Sequence, residues 1–149
     1  MNNLSLANDI KQIEDYILYL TEQSKKHATT DMILGGIRQS TIINFNYKVA
    51  DNPLNITTVT ICKITKRLDE LEKEPSSYQK DFKKMIKDFI KKYILIDDIN
   101  NLIKYDLNYT TLHKIKDYTL KTPYRLITLK KYAEIIESKK GNGEIYANY

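Results

Sequence analysis

Apolar residues recur at three- and four-residue steps along most of this chain, and that period predicts one helix after another. Leu6, Ile10, Ile13, Ile17 and Leu20, with Tyr16 beside them, form one stripe of a long helix over 6–25, for which Ser5 is a suitable N-cap. Thr29 or Thr30 then caps a short helix holding Met32, Ile33 and Leu34. Gly35-Gly36 stops it, because glycine accepts the left-handed backbone that a helix C-terminus needs. A helix over 39–47 follows, with Ile42 and Phe45 inward, and then a loop over 49–58 containing Asp51, Asn52 and Pro53. Ile61, Ile64, Leu68 and Leu71 give the next helix, over 59–71, one apolar face.

The second half follows the same plan. Pro75 disfavours helix at the residue before it, so 73–77 reads as a short linker. A long helix over 78–93 carries Phe82, Ile86, Phe89, Ile90 and Tyr93 on one side. Asp97 or Asp98 caps a short helix with Ile99, Leu102 and Ile103. Leu107-Asn108 makes a turn, with Asn108 as N-cap of a helix over 109–117 that points Leu112 and Ile115 inward. A loop over 119–126 holds Pro123, and a last helix over 127–139 points Leu129, Tyr132, Ala133 and Ile136 inward. Gly141-Asn142-Gly143 ends it, leaving a loose tail. The expected fold class is all-α, in two tandem small helical bundles at 1–74 and 75–140 with a tail at 141–149.

The two halves align as an internal repeat. Without gaps, Ile37–Pro53 meets Leu107–Pro123: Ser40 falls on Thr110, Thr41 on Thr111, Ile42 on Leu112 and Phe45 on Ile115. The closing helices align once two extra loop residues are allowed in the first copy, so that Thr60-Ile61 meets Thr128-Leu129 and Leu68 meets Ile136. Apolar positions, caps and prolines agree together, although few residues are identical.

Composition narrows the chemistry. At 149 residues and 42% apolar, the chain has room for one ordinary domain or two very small ones. Its formal charge of +5 is uneven. Residues 1–74 hold 9 Lys/Arg against 10 Asp/Glu, and residues 75–149 hold 15 against 9. A basic half suits a polyanionic partner. The single cysteine, Cys62, has no internal disulfide partner and no His or acid at a motif spacing, so it reads as a small core residue. His27 and His113 are far apart, which gives no metal site, and no phosphate loop or catalytic motif is present. The expectation is a non-enzyme without cofactor. With no signal peptide and no apolar run near eighteen residues, it is expected to be cytoplasmic and to have no membrane partner.

Two segments carry a family resemblance. Gly36-Ile37-Arg38-Gln39-Ser40-Thr41-Ile42, then Pro53, then Thr60-Ile61-Cys62-Lys63-Ile64-Thr65-Lys66-Arg67-Leu68 resembles the Cro/repressor (XRE-type) helix-turn-helix family. Leu107-Asn108-Tyr109-Thr110-Thr111-Leu112, Pro123 and 128–136 resemble it more weakly. Arg38 stands where the family prefers a capping Ser or Thr, the loop over 49–58 lacks the usual glycine, and Asp106 replaces the turn glycine of the second copy. The segment Pro53-Leu54-Asn55 with Thr58-Val59 has a fainter similarity to a phage anti-CRISPR family whose N-terminal domain shares this fold.

The resemblance implies binding to double-stranded DNA, with the helix over 39–47 in the major groove. Base contacts then fall to Gln39, Ser40, Ile43 and Asn44, and in the second copy to Tyr109, Thr110, His113 and Lys114. Glutamine and asparagine pair donor and acceptor with adenine, which favours an A·T-containing site. Phosphate contacts fall to Arg38, Thr41, Asn46, Lys48, Lys116 and Lys121. The implied role is a transcriptional regulator of a phage or mobile element. The other reading is a phage-encoded, anti-CRISPR-like inhibitor that grips a protein, a nuclease or another regulator. Whether the chain also forms a homodimer stays open.

Overall fold

The computed structural model describes residues 3–72, 77–94, 107–116 and 123–141. Seven helices account for nearly all of them: α1 (Asn3–Lys25), α2 (Thr29–Ile33), α3 (Gln39–Asp51), α4 (Thr58–Glu72), α5 (Tyr78–Tyr93), α6 (Tyr109–Lys116) and α7 (Leu126–Gly141). A 3-10 turn, Pro53–Asn55, joins α3 to α4. The fold class is all-α, as the hydrophobic period implies. Of the expected linker over 73–77 all but Ser77, the whole short helix with Ile99, Leu102 and Ile103, and all of the 141–149 tail but Gly141 lie outside the described residues.

Each helix forms where its apolar stripe can be covered. Leu6, Ile10, Ile13, Ile17 and Leu20 of α1 are all buried, as are Ile61, Ile64 and Leu68 of α4 and Phe82, Ile86 and Ile90 of α5. Burial of one such side chain contributes about 1.5–3 kcal/mol, so these stripes dominate the packing energy. α1 lies against α3, α4, α5, α7 and the 3-10 turn, while α5 lies against α4 and α7. The buried residues therefore form one continuous cluster drawn from all seven helices. The segments 1–74 and 75–140, expected as tandem bundles, both contribute to that interior, and α1 and α5 each contact helices of both segments.

Some boundaries differ from those the sequence pattern predicts. α1 begins at Asn3, so Ser5 sits within the helix, where its Oγ meets the Tyr93 hydroxyl at 2.9 Å instead of capping. α3 runs on to Asp51, four residues past the expected end, because Val49 continues the buried stripe of Ile42 and Phe45. The Asn52 side chain accepts from the Leu54 N–H at 3.0 Å, which shapes the 3-10 turn where an open loop was expected. α4 and α7 start one residue early, at Thr58 and Leu126, and α7 ends at Gly141.

The connection from α4 to α5 is pinned by a long-range cap. The Asp69 carboxylate, on α4, accepts from the backbone N–H groups of Tyr78 at 2.7 Å and Gln79 at 3.1 Å, and from the Ser77 hydroxyl at 3.3 Å. The Ser77 hydroxyl in turn accepts from Lys80 N–H. A carboxylate here satisfies unpaired helix N–H groups and faces the positive end of the α5 dipole. Asp69→Ala is expected to lower stability by about 1–3 kcal/mol, read as a shifted urea midpoint with unchanged m-value.

α1 and α5 run antiparallel. Lys92 donates to Asp9 at 2.9 Å, the Tyr93 hydroxyl also donates to Asp9, and Tyr16 at the other end donates to the Tyr78 carbonyl at 3.2 Å. Burial raises the Asp9 carboxyl, but the bonds from Tyr93 and Lys92 outweigh it and hold Asp9 below its ordinary value. Glu72 is lowered in the same way, burial being outweighed by hydrogen bonds from Tyr78 and His27. Both groups stabilise the fold as carboxylates. Their contribution is present above the unfolded carboxylate range and is lost as pH falls through the lower folded values. Thermal stability is thus expected to drop below about pH 4, and Asp9→Asn with Glu72→Gln should flatten that drop while lowering the stability at neutral pH.

Candidate nucleic-acid interface

The turn before α3 is built for glycine. Gly36 has φ +89°, a conformation that side-chain-bearing residues rarely adopt. At Gly35 a Cβ would lie 2.2 Å from the Arg67 side chain, whose guanidinium caps the Asp31 carbonyl through Nε at 2.8 Å and Nη2 at 2.6 Å. Ile37 is buried just after the turn and anchors it. Arg38 takes the N-cap position in extended backbone, with no capping bond from its side chain. Across this turn α2 and α3 are in contact, with α4 packed against α2.

α3 stands on Ile42, Phe45 and Val49. Its opposite face is exposed: Gln39, Ser40, Ile43, Asn44 and Lys48 all reach solvent, and Thr41 is half-buried. Arg38 is exposed at the helix start. Asn46 differs, being half-buried with its Oδ1 shielded from solvent and without a hydrogen-bond partner. From residue 32 to residue 50 there is no Asp or Glu, so no carboxylate on this helix face opposes a polyanion before Asp51.

A polar cleft of about 120 Å³ opens between α3 and the start of α4, lined by Thr41, Asn44, Phe45, Lys48, Ile56, Thr57 and Thr60. The Thr57 hydroxyl accepts from the Thr60 N–H at 3.3 Å, capping α4. One cation, several hydroxyls and a helix N-terminus suit an anionic oxygen here. Thr57 and Thr60 were not anticipated as site residues from the sequence, although threonine just before a helix is a preferred N-cap. Tyr47 was also missed. It lies one helical turn beyond Ile43 on the outward face.

In the second half, α6 rests on the buried Leu112 and Ile115 and exposes Thr110, His113 and Lys114. Asn108 caps it, accepting from Thr111 N–H at 3.0 Å, while its own N–H donates to the Tyr132 hydroxyl at 3.1 Å. The backbones of Tyr109 and Lys116 are in α6, but their side chains and all of Lys121 lie outside the described residues.

No protein-family model, curated protein or solved structure matches the chain.

Other chemistry has little support among the described residues. No group of three or more His, Cys, Asp or Glu is placed to hold a metal ion, and no helix is long and apolar enough to cross a membrane. Cys62 is half-buried, and burial raises its thiol, which keeps it protonated and a weak nucleophile.

Proposed function

We propose that this protein binds double-stranded DNA as a sequence-reading regulator of a phage or mobile element. The supporting observation is α3 itself: a helix anchored on three apolar residues behind a positive-φ glycine turn, its free face carrying Gln39, Ser40 and Asn44 between Arg38 and Lys48. Gln39 and Asn44 can each make a donor–acceptor pair with adenine in the major groove, while Arg38, Thr41 and Lys48 meet phosphates. The basic second half adds sequence-independent attraction, and α6 offers Thr110, His113 and Lys114 to the same duplex.

A second reading has its own observation. Ile43 and Tyr47 on the outward face of α3 are 58% and 78% exposed, Leu34 after α2 is 79% exposed, and such apolar side chains also suit a protein groove. On that reading the chain is an anti-CRISPR-like inhibitor occupying a nuclease or regulator.

Selection of bound duplexes from a randomised library, sequenced at two salt concentrations, separates the two. A DNA reader enriches a motif containing A·T pairs and loses affinity steeply with salt, because each neutralised phosphate releases counterions. Retention without an enriched motif, and only at low salt, overturns the DNA reading in favour of a protein partner.

A further inference from the structure

Beside their shared interior, the two halves are joined by an isolated antiparallel bridge, Thr57 with Arg125. Thr58 N–H donates to the Tyr124 carbonyl at 3.0 Å, and Leu126 N–H donates to the Ile56 carbonyl at 3.2 Å. A shift of 68 residues, the one that aligns α4 with α7, carries Ile56 onto Tyr124, Thr57 onto Arg125 and Thr58 onto Leu126. Under that shift each hydrogen bond becomes the other. Two bonds that exchange in this way lie across a local two-fold axis.

Burial in the two halves repeats in step with that pairing. Along α4 and α7 the burial pattern repeats: Thr58, Ile61, Ile64, Thr65 and Leu68 are buried, and so are Leu126, Leu129, Tyr132, Ala133 and Ile136. A shift of 69 carries the buried Ile13, Ile17, Leu20 and Ser24 of α1 onto the buried Phe82, Ile86, Phe89 and Tyr93 of α5. A shift of 70 carries the exposed Ser40, Ile43 and Asn44 onto the exposed Thr110, His113 and Lys114. The packing is reciprocal as well. α1 lies on α4 of its own half and α7 of the other; α5 lies on α7 of its own half and α4 of the other; and α1 crosses α5 antiparallel. α3 flanks the bridge, since it shares a cleft with Ile56, Thr57 and Thr60.

We infer that one chain is an internal dimer whose partner is a duplex carrying two unlike half-sites in inverted orientation, one under α3 and one under α6, bound by a single copy. This rests on the DNA-binding reading and specifies its ligand. The inversion follows from the two-fold axis. The difference between the arms follows from the outward residues: amides at Gln39 and Asn44 in one, and hydroxyl, imidazole and ammonium at Thr110, His113 and Lys114 in the other. The shared core holds the arms in a fixed relation, so the second arm binds at high effective concentration without a second chain.

The test uses the full chain and a duplex drawn from the randomised selection. The expected motif has two different arms in inverted order, and native mass spectrometry should give one chain per duplex. Reversing one arm to make a direct repeat should weaken binding by about tenfold or more. A Thr57→Cys/Arg125→Cys variant in a Cys62→Ser background should close a disulfide, because a non-hydrogen-bonded antiparallel pair brings its Cα atoms within bridging distance. A single-arm or direct-repeat motif, two chains per duplex, or a disulfide that does not form would each overturn the internal-dimer inference while leaving a DNA reader. No enriched motif at either salt overturns both.

Discussion

Phe82→Ala is expected to lower the free energy of unfolding by about 3–5 kcal/mol, the cost of losing a buried aromatic side chain and leaving a cavity. Phe82 is fully buried on α5, in the apolar cluster to which both halves contribute. α5 covers α4 from the first half and α7 from the second, so the cavity weakens both at once. Unfolding should therefore remain one cooperative transition, shifted to lower denaturant with its slope unchanged. Two resolved transitions, only one of them moved by the substitution, would mean that the halves are separate bundles after all. Total stabilities of such domains are about 5–15 kcal/mol, so this one change removes a large share of the margin.

Gln39→Ala combined with Asn44→Ala is expected to weaken binding to the selected duplex by about thirtyfold or more, since each good amide–adenine pair discriminates by about 1–3 kcal/mol and two are lost. Both side chains are exposed, so the unfolding midpoint should hardly move. Affinity for a scrambled duplex should also persist, because phosphate contacts are left intact. Lys48→Ala should show the opposite signature: a loss that is alike for selected and scrambled duplexes, with a shallower salt dependence. Unchanged binding of the double variant to the selected duplex would remove α3 as the reading helix. The contrast between the two variants distinguishes a reading helix from a merely basic surface.

The helices themselves were written plainly in the chain. Ile61, Ile64 and Leu68 mark the inner face of α4 at helical spacing, and all three are buried. Gly36 announced a turn that needs a positive φ, and Asn108 announced a cap that the structure supplies. What periodicity does not reveal is non-local. Asp69 caps a different helix from the one that carries it, and nothing in its own neighbourhood signals this. The end of α3 was hidden because Asn52-Pro53 reads as a loop signal that masks the buried Val49 just before it. The Thr57–Arg125 bridge joins residues 68 apart and emerges only from packing. The outward faces of α3 and α6 were legible, since an apolar stripe fixes its own opposite. The ligand was not, because amides, hydroxyls and lysines on a free helix face occur whether that face meets DNA, protein or water.

The proposed reading of base sequence by α3 is measured by the ratio of equilibrium affinities for the selected duplex and a scrambled one of equal length, taken at physiological salt. A sequence-reading protein should favour the selected duplex by about a thousandfold or more, with the preference outlasting the salt that removes scrambled-duplex binding. A ratio near one across the salt series would contradict the account.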